Sequence, residues 1–299
     1  MKAVWSFWSK PFEAHRRHNW PSERHHLFAW VLSVETARMH YPETSLVTDD
    51  AGARLLVDGI GLSFSHVSTE LNTLDQHNPD WWALGKVYAY SMQTAPFVHI
   101  DSDVFLWKPL PERLARADVF AQNPEPISAS TPYYQPEQLD QAFSAGTSGW
   151  LPDEWRWYRR MSGSRAECCG ILGGNRIDFI NRFATASLRL IDDPANIQAL
   201  QSIQDKRAFM LVIEQYLLSA FVEYHKASAV LPLGSVQLEY LFHSIEDAWN
   251  PDSAAQAGFT HLVAGAKQNQ LFADRLENRV RRDYPEYYRR CIAWVLPHF

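Results

Sequence analysis

Cysteine is scarce in this 299-residue chain: 3 are present, and two of them, Cys168 and Cys169, are adjacent. So small and odd a number excludes a disulfide framework. No second Cys or His pair at ligand spacing accompanies the adjacent pair, which excludes a structural zinc site there. The thiols read as reduced core residues, and the expected compartment is the cytoplasm. Positive charge is also short, with Lys+Arg 28 against Asp+Glu 34 and a net charge of -6. That balance argues against a nucleic-acid binder, whose surface must neutralise many phosphates. Long apolar runs are missing: Ala3–Trp8 is interrupted by Ser6 and stops at Ser9-Lys10-Pro11, too short for a secretion signal. Nothing approaches the ~18 apolar residues a membrane-spanning helix needs. Glycine does not occur before Gly52, so no Gly-rich phosphate loop follows the first apolar segment.

Aromatic residues, by contrast, make up 13% of the chain, with Trp 12, Tyr 12 and Phe 16. They serve a large core, and they also serve as stacking platforms for sugars. The order of elements is strand then helix, repeated. Ala3–Trp8 reads as a first strand and Glu23–Met39 as a helix capped by Ser22. Ser45–Thr48 is a second strand ending in Asp49-Asp50, and Phe64–Val67 a third. A helix opens near Asn78-Pro79 and runs to about Thr94, and Phe97–Ile100 is the next strand. Helices follow near Arg176–Ile191 and Arg207–Tyr224, strands near Ala229–Leu233 and Leu238–Phe242, then a basic helical tail. This alternation predicts an α/β fold, a mostly parallel central sheet flanked by helices, in a single composite domain. Residues 1–122 would form a nucleotide-binding half and 165–299 a second half with the tail. Between them, 123–164 carries Pro124, Pro126, Pro132, Pro136 and Pro152 and reads as a long irregular acceptor-side loop.

The first chemical signal is Phe97-Val98-His99-Ile100-Asp101-Ser102-Asp103. Carboxylates at i and i+2 share one side of an extended backbone, and a parallel strand delivers them to its carboxyl end, where open α/β sheets bind ligands. Two hard oxygen donors there suit Mg²⁺ or Mn²⁺ on a diphosphate. A solvated turn with capping aspartates is the competing account. The second signal is His261-Leu262-Val263-Ala264-Gly265-Ala266-Lys267. Its histidine can complete a metal site, and its lysine, past a glycine turn, can reach phosphates.

With these two signals the chain resembles the GT-A class of glycosyltransferases, in the retaining branch that includes glycogenin and the lipopolysaccharide galactosyltransferases. The resemblance implies that Asp101, Asp103 and His261 hold Mn²⁺, with Mg²⁺ as the alternative ion, on a nucleoside diphosphate sugar. It implies that Lys267 steadies the phosphates in an H-x-x-G-x-x-K loop, although Gly265 lies one place later than in that pattern. Lys86 and Tyr90, one turn apart on the helix before the metal strand, take the place of donor-facing residues. Lys86 is expected to contact the diphosphate or ribose, so that removing it would weaken donor binding and leave stability nearly unchanged. Asp49 or Asp50 would accept from a ribose hydroxyl or the base, or serve as turn and cap residues; Ser102 lies between the metal carboxylates. Gly173, Gly174 and Asn175 match the segment that shapes the donor-sugar pocket, with Cys168 replacing the family's asparagine and Asn175 or Glu167 standing in. Glu214-Gln215 matches an acidic-Gln pair near the reacting centre; a buried helix with one paired glutamate is the rival account.

The implied activity is transfer of a sugar from a nucleoside diphosphate to a saccharide or glycoconjugate acceptor, with retention. Alternatives are a sugar-1-phosphate nucleotidyltransferase, disfavoured by the missing Gly-rich loop, and a non-catalytic carbohydrate-binding protein. Two basic clusters remain. His15-Arg16-Arg17-His18 with Arg24-His25-His26 forms a positive patch, either an exposed helix face or a contact for an anionic acceptor or phosphate. Arg279, Arg281, Arg282, Arg289 and Arg290 lie beside Tyr287, Tyr288, Trp294 and Phe299. Such a tail either touches the inner membrane face or packs on its own sheet.

Overall fold

The computed structural model describes residues 1–15, 19–128, 131–144, 149–227 and 234–296. Its strands are β1 (Lys2–Phe7), β2 (Thr44–Thr48), β3 (His66–Ser68), β4 (Phe97–Ile100), β5 (Val104–Leu106), β6 (Val119–Pro126), β7 (Arg165–Gly174), β8 (Leu238–Tyr240) and β9 (Phe259–His261). Seven of them form one sheet in the order β3-β2-β1-β4-β7-β6-β8, and β5 pairs with β9 in a two-stranded sheet. The β1–β2, β2–β3 and β6–β8 pairs are parallel, while β6–β7 is antiparallel. With helices between the strands, the chain is an α/β protein with a mostly parallel sheet, as the alternation predicts.

The chain divides into two compact units, Met1–Pro79, Val98–Leu110 and Pro251–Phe299 in the first, and Asp80–Phe97 and Pro111–Asn250 in the second. These boundaries differ from the expected division at 122 and 164, because the chain leaves the first unit after Pro79 and returns to it twice.

In the first unit β1 is almost wholly buried, as a strand covered on both faces must be. The helix Glu23–Arg38 lies against it. Trp5 donates to Ser33 Oγ (2.9 Å), and the rings of Phe7 and Trp30 meet edge to face at 5.4 Å. At the end of β2, Asp49 caps the turn of helix Asp50–Ala53 by accepting from Gly52 N–H (2.7 Å). It also takes Ser9 N–H (2.7 Å) and Ser9 O–H (2.8 Å). A Cβ on Gly52 would lie 2.1 Å from Thr48 Oγ1, so only glycine fits beneath that cap.

The basic tail folds into the helices Gln270–Asp283 and Pro285–Val295, which pack on the first unit. Tyr288 stacks on Phe28 (5.3 Å), Tyr287 donates to Glu35 (3.0 Å), and a Cβ on Gly59 would meet the Trp294 ring at 2.4 Å. Of the tail's two expected fates, its aromatic residues take the packing one. Phe299 lies outside the described residues, as do Arg16, Arg17, His18 and the expected strand Ala229–Leu233.

In the second unit the stretch 123–164 is not an irregular loop. It continues β6 to Pro126 and forms the helices Glu137–Ser144 and Asp153–Arg160. Trp155 is fully buried, donates to Asp140 (3.0 Å) and packs edge to face on Tyr216 at 5.2 Å, so it is core and not a stacking platform. Pro126 ends β6 and Pro136 and Pro152 precede helices, where a missing N–H costs nothing, while Pro124 lies within β6 and Pro132 in a turn, so composition alone mimics a loop there. No helix among the described residues is long and apolar enough to cross a membrane.

Candidate functional site

Strand β4 ends at Ile100, and the chain turns at once: Val104 N–H donates to Asp101 O (3.0 Å). The two carboxylates are therefore gathered by a turn and not, as the i, i+2 spacing suggests, by an extended strand. The apolar run Val104-Phe105-Leu106 then pairs antiparallel with Phe259-Thr260-His261, Val104 opposite His261. This short ladder, overlooked in the sequence although its apolar run is visible there, brings the distant histidine to the aspartates. It is pinned at both ends. Leu262 N–H donates to Asp103 O (3.0 Å), and Trp107 N–H donates to Gly258 O (2.8 Å). Gly258 has φ +62, and a Cβ there would lie 2.4 Å from the Lys108 side chain.

The outcome is a compact donor set. Asp101, Asp103 and His261 each offer a ligand atom, all within 4.8 Å of one another, and no other such group occurs among the described residues. His261 Nε2 lies 3.6 Å from Asp103 Oδ1, and Lys267 Nζ lies 2.5 Å from Asp103 Oδ2. Asp103 is buried. Burial pushes its carboxyl up, but the Lys267 ammonium and then His261 outweigh that and hold it below the ordinary carboxylate value. A carboxylate that stays ionised beside an imidazole fits Mn²⁺, and fits Mg²⁺ less well because imidazole suits softer ions.

The support for Asp101 was not legible from sequence. Ser33 donates to its carbonyl (3.0 Å), and His99 Nδ1 lies 3.8 Å from its carboxylate while His99 Nε2 is hydrogen-bonded to Ser6 Oγ (2.9 Å). In the loop after His261 the left-handed residue is Ala264, with φ 48, and not Gly265. Gly265 begins no turn that needs it, and a Cβ there would meet nothing within 4 Å.

The expected positive patch at Arg24-His25-His26 is weakly charged. His25 is buried against Glu277 (3.3 Å), and burial, reinforced by Arg24, lowers its proton affinity. Burial and then the Lys267 ammonium push His26 down to about 3, with Asp103 pulling the other way.

The second unit holds the remaining predicted residues. Glu214 is fully buried on the helical stretch Val212–Tyr216. Its Oε1 accepts from Tyr90 Oη (2.7 Å) and lies 2.8 Å from Lys86 Nζ, which also donates to Cys169 O (3.2 Å). Lys86 is thus a buried ion-pair partner, and the expectation that its loss would spare stability is reversed. Gln215 accepts from Tyr134, whose hydroxyl is also 2.5 Å from Glu125 Oε2. Glu167 is saturated by Arg165 (2.9 Å), Ser219 (2.7 Å) and Tyr240 (2.8 Å). Gly174 has φ +144, with Asp118 O only 2.1 Å from where a Cβ would stand, and Gly173 is paired with Phe120 in the β6–β7 ladder. Asn175 ties that corner down by donating to Ala115 O (2.9 Å) and Ala117 O (2.8 Å). A cavity of about 440 Å³ lined by Trp150, Asn181, Arg182 and Arg189 also lies in this unit and contains none of these residues.

In fold the chain is similar to the galactosyltransferase LgtC in complex with donor and acceptor sugar analogues. The identity is 11% and the TM-score 0.36, with 86% of this chain and 95% of that one covered. It is similar to the apo form of the bifunctional glycosyltransferase WbbM at 12% identity and TM-score 0.45, covering 97% of this chain; it spans about half, 51%, of WbbM. An active-site mutant of LgtC aligns at 10% identity and TM-score 0.42, over 93% and 96% of the two chains. No curated protein matches the chain by sequence. One family description covers nearly the whole molecule, residues 1–294, and on that match the chain belongs to DUF6734, a family of unknown function.

Proposed function

We propose that the chain is a metal-dependent glycosyltransferase that moves a sugar from a nucleoside diphosphate to a saccharide or glycoconjugate acceptor. The observation that carries this reading is the convergence of Asp101, Asp103 and His261 beside Lys267. Two carboxylates and an imidazole would hold a divalent ion there, and the neighbouring ammonium would meet a donor diphosphate. The bound ion, Mn²⁺ by preference, supplies charge neutralisation on the leaving diphosphate. Asp101, Asp103 and His261 would hold it, and Lys267, now paired with Asp103, would add fixed positive charge where negative charge grows on the phosphates. Ser102, Asp50 and the open backbone at Gly265 complete the donor side.

In the second unit Glu214 and Gln215 are the proposed reacting-centre residues. Lys86 and Tyr90 keep Glu214 oriented, and Tyr134 fixes the Gln215 carbonyl so that its amide N–H groups remain for substrate. Asp49, Gly173, Gly174 and Asn175 have packing roles of their own, so any donor contact from them comes through the backbone they shape. Retention at the anomeric carbon is proposed from the resemblance to the retaining GT-A branch. The proposed setting is the cytoplasm, with any membrane contact limited to the exposed arginines of the tail.

A thermal-shift panel of nucleotide sugars with and without Mn²⁺ tests the reading, since a ligand that binds only the native state raises its midpoint. At least one donor should raise the midpoint only with metal, and Asp103→Asn should abolish the shift. Slow donor hydrolysis without acceptor would separate an enzyme from a binding protein of the same fold.

A further inference from the structure

The helix Glu23–Arg38 presents His26, Trp30 and Ser33 at i, i+4 and i+7, one face of a helix. Ser33 on that face holds the Asp101 carbonyl (3.0 Å), so the face lies along the turn that carries the metal carboxylates. Two turns earlier, His26 sits beside Phe7, the last residue of β1, with ring centroids 6.0 Å apart. This is the carboxyl edge of the parallel strands, where α/β sheets take their ligands.

The ring is held by two contacts. It stacks on Phe12 with centroids 4.5 Å apart, and its Nε2 accepts from Trp30 Nε1–H (3.1 Å). A neutral imidazole whose Nε2 accepts must carry its proton on Nδ1. That Nδ1–H has no hydrogen-bond partner among the described residues, and the residue is only half-buried. Its low proton affinity keeps it neutral at physiological pH, with Lys267 and Asp103 both within electrostatic reach of the ring. The Phe12 stack does not require an imidazole: a phenylalanine would stack equally well, at the cost of leaving the Trp30 Nε1–H without its acceptor, and it would carry no Nδ1–H.

We propose that His26 is a further ligand-binding residue of the donor site, donating Nδ1–H to an oxygen of the donor diphosphate. It adds direction without charge, next to Lys267, which adds charge without direction. The inference rests on the glycosyltransferase reading above but needs neither the base nor the sugar to be known, because inorganic pyrophosphate carries the same oxygens.

The test is calorimetric titration of the full chain with pyrophosphate in the presence of Mn²⁺. The wild type should bind and Asp103→Asn should not; a wild type that fails to bind would overturn the donor reading and this proposal with it. Given binding, His26→Phe should weaken it by about tenfold, the worth of one hydrogen bond to a charged acceptor. His26→Asn, which puts an amide N–H near the Nδ1 position, should recover part of the loss. Unchanged affinity in a folded His26→Phe would refute the proposal while leaving the metal reading intact. Should His26→Phe fold poorly, imidazole ¹⁵N shifts of the wild type decide instead. The Nδ1–H tautomer should be present and its Nδ1 signal should move on adding Mg²⁺ and pyrophosphate; the Nε2–H tautomer, or an unmoved signal, would sink the idea.

Discussion

Lys86 is legible in the sequence as a basic residue one turn from Tyr90, but what it does depends on a glutamate far along the chain. Both side chains are shut away from water, Lys86 at 10% and Glu214 at 0% exposure, 2.8 Å apart. Lys86→Ala leaves a buried carboxylate without its counter-charge and should cost about 3–5 kcal/mol. Lys86→Met combined with Glu214→Gln should recover most of that, and a urea-denaturation double-mutant cycle measures the coupling. A second residue-scale expectation concerns His225, fully buried between Phe179 and Phe221, with Glu154 3.7 Å from its Nε2. Burial lowers its proton affinity, Glu154 opposes this, and Arg182 reinforces it. The folded state then binds fewer protons than the unfolded state below the ordinary histidine value, ~6.5. Its contribution is therefore intact above that pH and lost as the pH falls. Between pH 7.5 and 5 the wild type should lose more stability than His225→Phe, read as the difference in urea midpoints; equal losses would show that His225 titrates normally.

At the scale of elements, the β5–β9 ladder is what brings the two separated motifs of the proposed metal site together. Its start depends on Gly258, whose left-handed φ and close approach to Lys108 leave no room for a side chain. Gly258→Ala should cost about 1–2 kcal/mol and weaken Mn²⁺ binding in parallel, because it disturbs the register that sets Val104 against His261. Gly265→Ala is the contrasting case. With open space around its Cβ and no left-handed φ, it should leave the thermal midpoint of the ligand-free protein unchanged. The sequence pattern marks Gly265 as the turning residue and passes over Gly258, because a motif records spacing and not dihedral angle. The helices in 123–164 were hidden for a related reason: proline at strand ends and first turns has the same composition as proline in a loop.

At the scale of the whole molecule, the tail belongs to the first unit and is not an appendage. Tyr288 on Phe28, Tyr287 on Glu35 and Trp294 over Gly59 are its anchors. A chain ending at Tyr284 should therefore lose stability as a whole, giving a lower and broader thermal transition. A truncated chain that unfolds like the full one but no longer binds anionic vesicles would instead assign the tail to a membrane. The half-buried aromatic anchors, each packed on the first unit, favour the first outcome.

Periodicity and residue type were sufficient for the α/β class and for the strand Phe97–Ile100, and they singled out Asp101, Asp103 and His261, which the fold brings together. Alternation of apolar runs and the chemistry of Asp, His and Lys are local properties, written in adjacent letters. The partners of those residues were not local. Lys267 on Asp103, Glu214 under Lys86, Ser33 on the Asp101 carbonyl and His26 against Phe12 join residues that only folding brings together. Burial then decided which charges survive. It holds His25 and His26 neutral within a basic-looking run, while the neighbouring ammonium and imidazole keep Asp103 ionised. Dielectric surroundings and pair distances belong to the packed chain, and no string of residues carries them in advance.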